Sequence, residues 1–466
     1  MSENNTHATN FHNDPRVQQA KALLREALTE HSSKLDNVAP ANLSLETSYK
    51  STLESCGQLR GGNLFFPYLG SGLGNGPFVE LGDGSVKLDF ITGIGVHFFG
   101  HSSPILLDSQ IDAALADTIM QGNLQQNLDT EILLNKIMKL AKAQGAELEH
   151  CFLTSSGSMA NDNAFKLAFQ KHSPADRVIA FENCFCGRTI AMASVTDKEL
   201  YRTGIPTVLN VDYIPYFDPE NPEESTARSI AALKRLIQRY PNRHALMKFE
   251  LLQGEGGGYK VAQADYFREL MTICRENNVA VLADEIQTFG RFSKPFAFQY
   301  YNLDDLVDLV NIGKLSQVCA TLFTSNYKPK PGLISQTFTS SASQINAAIT
   351  IMDTFANGDL FGPNGKIETL TNYFRTKLQD IADRVPGSLT GPFGLGDMIA
   401  FTPLDGSLDK AKALMMQLYD DGLLCFIAGG NPYRLRMLPP IPAIDESHID
   451  LAANLIETAI KKIQSV

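Results

Sequence analysis

The sequence predicts an α/β protein, with a mostly parallel sheet flanked by helices and a second, smaller α/β lobe after it. Three observations carry that expectation. Between about residues 150 and 325, short apolar runs (VIAF, TVLNVDYI, ALMKFELL, VAVLAD, LVDLVNI, CATLFT) alternate with longer amphipathic stretches such as Tyr266 to Asn277. Strands that alternate with helices in this way build a sheet covered on both faces. Several runs end directly in Gly, Ser, Asp or Lys, the residue types that line the carboxyl edge of an open sheet where ligands bind. Beyond residue 345, helix-like stretches (Ile345 to Phe355, Lys366 to Val385) lead through a Gly- and Pro-rich section to a strand and a terminal helix.

Taken in order, residues 1–60 read as a helical arm, because Val17 to Thr29 places apolar residues at helical spacing before a polar, loosely patterned segment. Residues 61–100 are dense in Gly and aromatics, and Gly82-Asp83-Gly84 between VEL and VKLDF predicts a small hairpin. The GSGLGNG run at 70–76 imitates a dinucleotide fingerprint, but it leads into Pro77 and a strand where that fingerprint requires a helix.

The chain has 466 residues, 44% hydrophobic and 20% charged, enough for a large core in two or three domains without disulfide staples. Its net charge is -11, from Lys+Arg 40 against Asp+Glu 51, which argues against nucleic-acid or anionic-membrane partners. No stretch approaches the roughly 18 apolar residues of a membrane span, and the start, MSENNTHATNFHNDP, is polar, so a cytoplasmic location is expected. The seven cysteines are scattered and lack a repeated CxxC spacing, which fits reduced thiols. No metal site is expected. Cys184 and Cys186, on one side of an expected strand, have no further ligand nearby, and His97 and His101 have no companion.

Three strand ends bear chemistry. Ser155-Ser156-Gly157-Ser158 follows CFLT and opens a helix, so its free N–H groups and positive dipole end suit a phosphate or simply a Ser cap. Asp284 closes the apolar strand VAVLAD. Lys314 ends the run from Leu306 and is flanked by Ile312, Leu315 and Val318, surroundings that disfavour an ammonium and favour a nucleophilic amine. A nucleoside-triphosphate loop is excluded, because that motif needs Gly at 308 and a hydroxyl at 315, where Asp308 and Leu315 stand. An anion site, a carboxylate and an amine together are the equipment for pyridoxal 5′-phosphate.

The blocks SSGSMANDNAFKLA, FENCFCGRT, FELLQGEGGGY, VLADEIQTFGR, NIGK and YRLRMLPPIP, in that order, resemble those of the class III aminotransferases, as does LGDGSVKLDFITGIGVHFFGHSSP. The resemblance covers roughly residues 80–460 and implies the fold-type-I architecture of pyridoxal-phosphate enzymes. It divides the chain into an arm (1–60), a large cofactor-binding domain (111–345), and a small domain built from 61–110 and 346–466. It implies a ping-pong transfer of an amino group from a basic or ω-amino acid (ornithine, acetylornithine, lysine or 4-aminobutyrate type) to 2-oxoglutarate. Lys314 is then the Schiff-base lysine and proton shuttle, and Asp284 the partner of the ring nitrogen. Phe185 stacks on the ring, Gln287 lies near its hydroxyl, and Ser156, Gly157 and Ser158 hold the phosphate. Thr337 reaches the phosphate of a neighbouring subunit, which implies a homodimer with shared sites. Arg436 binds the α-carboxylate of the oxo acid, Glu255 pairs with Arg436 when the first substrate is bound, and Arg188 grips that substrate's carboxylate.

Met159 stands where the family usually has Glu, Cys186 where it has His or Trp, and Leu251 where it has Pro. The stretch after Lys314, Leu-Ser-Gln-Val-Cys319, is similar to that of lysine 6-aminotransferases, and Ile94 replaces a substrate-binding tyrosine of ornithine aminotransferase. These departures leave the aldimine-forming lysine and the aspartate in place but open the substrate question. Relatives that decarboxylate or isomerise, and a non-catalytic homologue, stand as alternatives.

Overall fold

The computed structural model describes residues 6–465. Its centre is a seven-stranded sheet: β1 (Leu148–Thr154), β2 (Arg177–Phe181), β3 (Asn210–Ile214), β4 (His244–Phe249), β5 (Ala280–Glu285), β6 (Leu309–Ile312) and β7 (Cys319–Thr324). The spatial order is β1-β7-β6-β5-β4-β2-β3. All neighbours are parallel except at β7, which runs antiparallel to both β6 and β1. The six apolar runs of the sequence supply β2 to β7.

Side-chain alternation divides each strand between two cores, as a period of two requires. Ile179, Phe181, Met247, Val281, Ala283, Val310 and Ile312 join one apolar cluster. Val178, Ala180, Leu246, Ala280, Leu282 and Leu309 join another, with Ala164, Phe165, Leu167 and Ala168 of the helix Gly157–Lys171. Asp284, two residues beyond Leu282, therefore falls on the side covered by that helix.

Two four-stranded sheets complete the fold. Phe78–Leu81 and Val86–Asp89 form the hairpin expected around Gly82-Asp83-Gly84, and Val86–Asp89 pairs in parallel with Leu423–Leu424, joining distant parts of the chain. Leu389–Leu395, Met398–Pro403, Tyr433–Met437 and Phe426–Gly429 make an antiparallel sheet packed with the helices Lys366–Arg384, Leu408–Asp421 and Glu446–Gln464. Gly70–Asn75, the imitation fingerprint, is a strand.

Two details correct the sequence reading. The polar segment after Thr29 contains a second long helix, Leu43–Arg60, which buries only Tyr49 and Gly57 and so shows no apolar stripe. Cys184 and Cys186 lie in a loop after β2, not in a strand, although both are buried. The positions 110/111 and 345/346, where the sequence reading divides the chain, lie within the helices Pro104–Ala114 and Ala342–Asn357.

Phe90 follows the strand Val86–Asp89 and ties this joint together. It is fully buried, its ring meets that of Phe374 edge-on at 5.7 Å, its N–H donates to the Leu424 carbonyl, and its carbonyl accepts from the Leu438 N–H. Phe90→Ala should lower unfolding stability by roughly 3–5 kcal/mol, the cost of a large buried aromatic and the cavity it leaves. A urea midpoint shift at unchanged slope measures this.

Candidate active site

The helix Gly157–Lys171 starts at the carboxyl edge of β1. Ser156 is its cap, and its Oγ accepts the Met159 N–H at 3.2 Å. A Cβ on Gly157 would lie 3.1 Å from Ile286, and one on Gly187 would lie 2.2 Å from Ser158 Oγ. Both glycines thus keep backbone close to the helix start. Ser158 Oγ accepts the N–H of Arg188 at 3.3 Å, bringing the FCGR loop onto the same spot.

Asp284 is the penultimate residue of β5 and is buried. Its Oδ1 accepts the Ile286 N–H at 3.1 Å, while its Oδ2 receives Asn161 Nδ2 at 3.2 Å and lies 3.0 Å from Lys248 Nζ. Asn161 comes from the covering helix, and Asn311 on β6, directly opposite Asp284, donates to Asn161 Oδ1 at 2.9 Å. Lys248, on β4, also donates to the Phe185 carbonyl at 2.9 Å and pairs with Glu250 at 3.4 Å. Burial raises the Glu250 carboxyl to about 7 against the pull of Lys248. Burial also works against the Lys248 ammonium, but Asp284 and Glu250 outweigh it and hold its pKa well up.

Lys314 follows β6 in the left-handed region, with φ of 54°, one turn from Gln317 at 61°. Backbone strain of this sort gathers at functional sites because the surroundings over-determine it. Gly313 admits the approach of Ile286, whose Cδ1 would be 3.1 Å from a Cβ there. Burial first, and then the positive charge of Arg436, push the Lys314 amine down to about 8; Glu255 and Asp284 oppose them.

Arg436 is fully buried on the strand Tyr433–Met437. Its Nη2 pairs with Glu255 Oε2 at 2.5 Å, while its Nε and Nη1 have no hydrogen-bond partner among the described residues. Burial would raise the Glu255 carboxyl, yet Arg436 holds it below its usual value. The other oxygen of Glu255 accepts from the Tyr201 hydroxyl at 3.2 Å. The guanidinium of exposed Arg188 lies 3.5 Å from the centre of the Tyr201 ring and 5.8 Å from that of Phe185.

These contacts and charges bring Ser156, Gly157, Ser158, Phe185, Arg188, Glu255, Asp284, Lys314 and Arg436 to one region at the carboxyl edge. Gln287 joins them through Gly254, where a Cβ would meet its Oε1 at 1.8 Å. Thr337 is exposed, with its carbonyl against Gly122, and follows Gln336, which hydrogen-bonds Thr154 at the end of β1. Lys248, Glu250, Asn161, Asn311 and Tyr201 escaped the sequence reading. A signal existed for Lys248 and Glu250, two charges inside the otherwise apolar run ALMKFELL, whereas nothing local marked Tyr201. His101 pairs with Asp89 at 2.9 Å, and among the described residues no group of three or more His, Cys, Asp or Glu could hold a metal ion.

The family model described as Aminotransferase class-III matches residues 71–460. The chain belongs to the class III aminotransferases. An acetylornithine aminotransferase of Methanocaldococcus jannaschii is 26% identical over 82% of this chain and 91% of its own length. A diaminobutyrate–2-oxoglutarate transaminase of Nocardia farcinica is 26% identical over 83% and 88%. The solved lysine aminotransferase of M. tuberculosis shares the fold with a TM-score of 0.77 at 20% identity, over 88% of this chain and 99% of that one.

This aminotransferase is accordingly a pyridoxal-phosphate enzyme acting on small-molecule amino and oxo acids. Its residues fit that cofactor: the glycines at 157 and 187 leave room at a helix N-terminus for a phosphate, and a depressed amine and a buried carboxylate end neighbouring strands. In the cofactor-stripped aminotransferase, Lys314 should acylate with a half-maximal pH near about 8, well below surface lysines at about 10.4. Peptide mass spectrometry across a pH series reads this directly, and a Lys314 midpoint with the surface set contradicts it.

Proposed function

We propose that the enzyme transfers the amino group of a basic or ω-amino acid to 2-oxoglutarate by a ping-pong route. The single observation that carries this reading is the Arg436–Glu255 pair. A fully buried guanidinium with two unpartnered N–H donors is matched to a carboxylate by a two-pronged contact. Glu255 occupies only Nη2, and its side chain retains 21% exposure, so it can turn outward when an α-carboxylate enters. With Glu255 in place, the same cavity excludes that carboxylate and favours a donor presenting its distal amine. One site thereby serves two unlike substrates in turn.

The remaining roles are those that membership of the family implies for these residues. Pyridoxal phosphate supplies the carbonyl that takes up the amino group and the ring that accepts carbanion charge. Lys314 would hold the cofactor and, as a neutral amine, would move the proton at the substrate Cα. Asp284 would partner the ring nitrogen, Phe185 would pack on the ring face, and Gln287 would serve the ring hydroxyl. Ser156, Gly157 and Ser158 receive the phosphate at the helix start. Arg188, held over Tyr201, grips the first substrate's carboxylate. Thr337, exposed in its own chain, would complete the phosphate site of a second copy in a cytoplasmic homodimer.

Lys314→Ala should abolish multiple turnover together with the visible absorbance of the lysine-bound cofactor, and full turnover by this variant contradicts the reading. A donor screen with ornithine, acetylornithine, lysine and 4-aminobutyrate, following glutamate from 2-oxoglutarate, identifies the donor; carbon dioxide or an isomer without glutamate contradicts transamination. Arg436→Lys, which loses the fork, should raise KM for 2-oxoglutarate at least tenfold, about 1.4 kcal/mol, and change the donor half-reaction far less.

A further inference from the structure

Lys248 is the one charged residue within β4, whose stretch His244–Phe249 is otherwise Ala, Leu, Met, Phe and a terminal His. Its side chain has 0% exposure. Burying an ammonium costs several kcal/mol unless unlike charges and hydrogen bonds surround it. Here it meets Asp284 Oδ2 at 3.0 Å, Glu250 Oε2 at 3.4 Å and the Phe185 carbonyl at 2.9 Å. The register of the sheet makes these contacts possible. Lys248 lies opposite Leu282 on β5, two residues before Asp284 on the same face, so the long side chain reaches the carboxylate along the diagonal.

We propose that Lys248 is a positioning residue for the cofactor ring: it takes a share of the Asp284 charge, so the ring-nitrogen proton is held less tightly than an aspartate without that partner would hold it. The inference rests on reading Asp284 as the partner of the ring nitrogen. Direct repulsion and competition for the carboxylate act in the same direction, since an ammonium beside Asp284 repels a protonated ring nitrogen and also draws on the oxygen that nitrogen needs.

The other groups facing Lys248 set the balance. Cys184 and Cys186 lie close, and burial pushes the first thiol up to about 12 and the second well above its usual value, so they bring no negative charge near neutral pH. Glu250 is the remaining carboxyl; raised to about 7, it carries only part of a charge there. Near neutral pH the Lys248–Asp284 pair is therefore close to self-neutralised. Asn161 and the Ile286 N–H orient Asp284 without adding charge, which leaves Lys248 as the charge in direct contact with it.

The test uses holoenzyme carrying isotope-labelled ring nitrogen, with the nitrogen NMR signal followed across pH in the wild type, Lys248→Met and Lys248→Gln. The Gln variant keeps a donor toward the Phe185 carbonyl and removes the charge. The expected result is a ring-nitrogen titration midpoint raised by at least about one pH unit in both variants, a tenfold tighter proton. An unchanged or lowered midpoint in cofactor-loaded variants overturns the proposal, because a purely structural ion pair does not move this signal. If neither single variant folds, Lys248→Met with Glu250→Gln removes one charge of each sign, and its midpoint must still rise or the proposal fails. The underlying reading fails separately, when the wild-type ring-nitrogen signal is insensitive to Asp284→Ala.

Discussion

A buried carboxylate must be met by donors from its own surroundings, and at Asp284 that requirement organises the centre of the fold. Its oxygens take donors from three elements: Lys248 on β4, Asn161 on the covering helix and the Ile286 N–H just past β5. Asn161 in turn receives Asn311 from β6 and donates to the Cys186 carbonyl in the loop after β2. One carboxylate thereby fixes the helix Gly157–Lys171 over the sheet at a set height. The helix start then lies where Ser158 can accept from Arg188, and where a side chain on Gly187 would collide with it. The position of the helix start is a consequence of how that helix is anchored at Asn161, about one turn further along.

A second charge arrangement lies across the cavity. Arg436 and Lys314 are like charges sharing one low-dielectric region, and the permanent cation drives protons off the titratable one. Glu255 moderates that effect by pairing with Arg436. The three groups are therefore coupled: whatever Glu255 neutralises on Arg436 bears on the basicity of Lys314.

Much of this was legible in the sequence for a physical reason. Each apolar run from VIAF to CATLFT is too short for a helix and bounded by polar residues, and each became a strand of one sheet. Asp284 and Lys314 stood out because a charge at the end of an apolar strand cannot retreat to solvent. The same logic, applied within a strand, marks Lys248, and two-residue alternation from Leu282 to Asp284 and from Leu246 to Lys248 puts both charges on the helix-covered face. Other features had no local signature. The antiparallel direction of β7 is set by which neighbours it meets, because its composition matches that of the parallel strands. The helix Leu43–Arg60 is polar nearly all round and depends on docking: Ala39 bridges Val86, and the Tyr49 hydroxyl donates to the Pro67 carbonyl. Tyr201 belongs to a short 3-10 turn of unremarkable sequence, and only the fold reveals it between Arg188 and Glu255.

The segment Thr92–Gly95 shows how the sheets are coupled at the site. Four successive residues are left-handed, Thr92 at φ 49°, Gly93 at 65°, Ile94 at 64° and Gly95 at 76°. Glycine accepts this at no steric cost, but for Thr and Ile it costs roughly 1–2 kcal/mol each. The surrounding hydrogen bonds offset that cost. Asp89 Oδ1 accepts the N–H groups of Ile91 and Thr92, and the Thr92 hydroxyl donates to the Leu438 carbonyl. Arg291, beyond β5, donates to the Gly95 carbonyl, and Gln317, beyond Lys314, donates to that of Val96. The turn is held from one side by the strand that precedes it and the chain after Arg436, and from the other by loops of the large sheet. A shift of either side must break bonds that offset the strain, so the turn resists relative motion more strongly than a relaxed loop of the same length. Gln317, three residues after Lys314, and Leu438, two residues after Arg436, are both tied to this turn, so it links the two segments that carry those side chains.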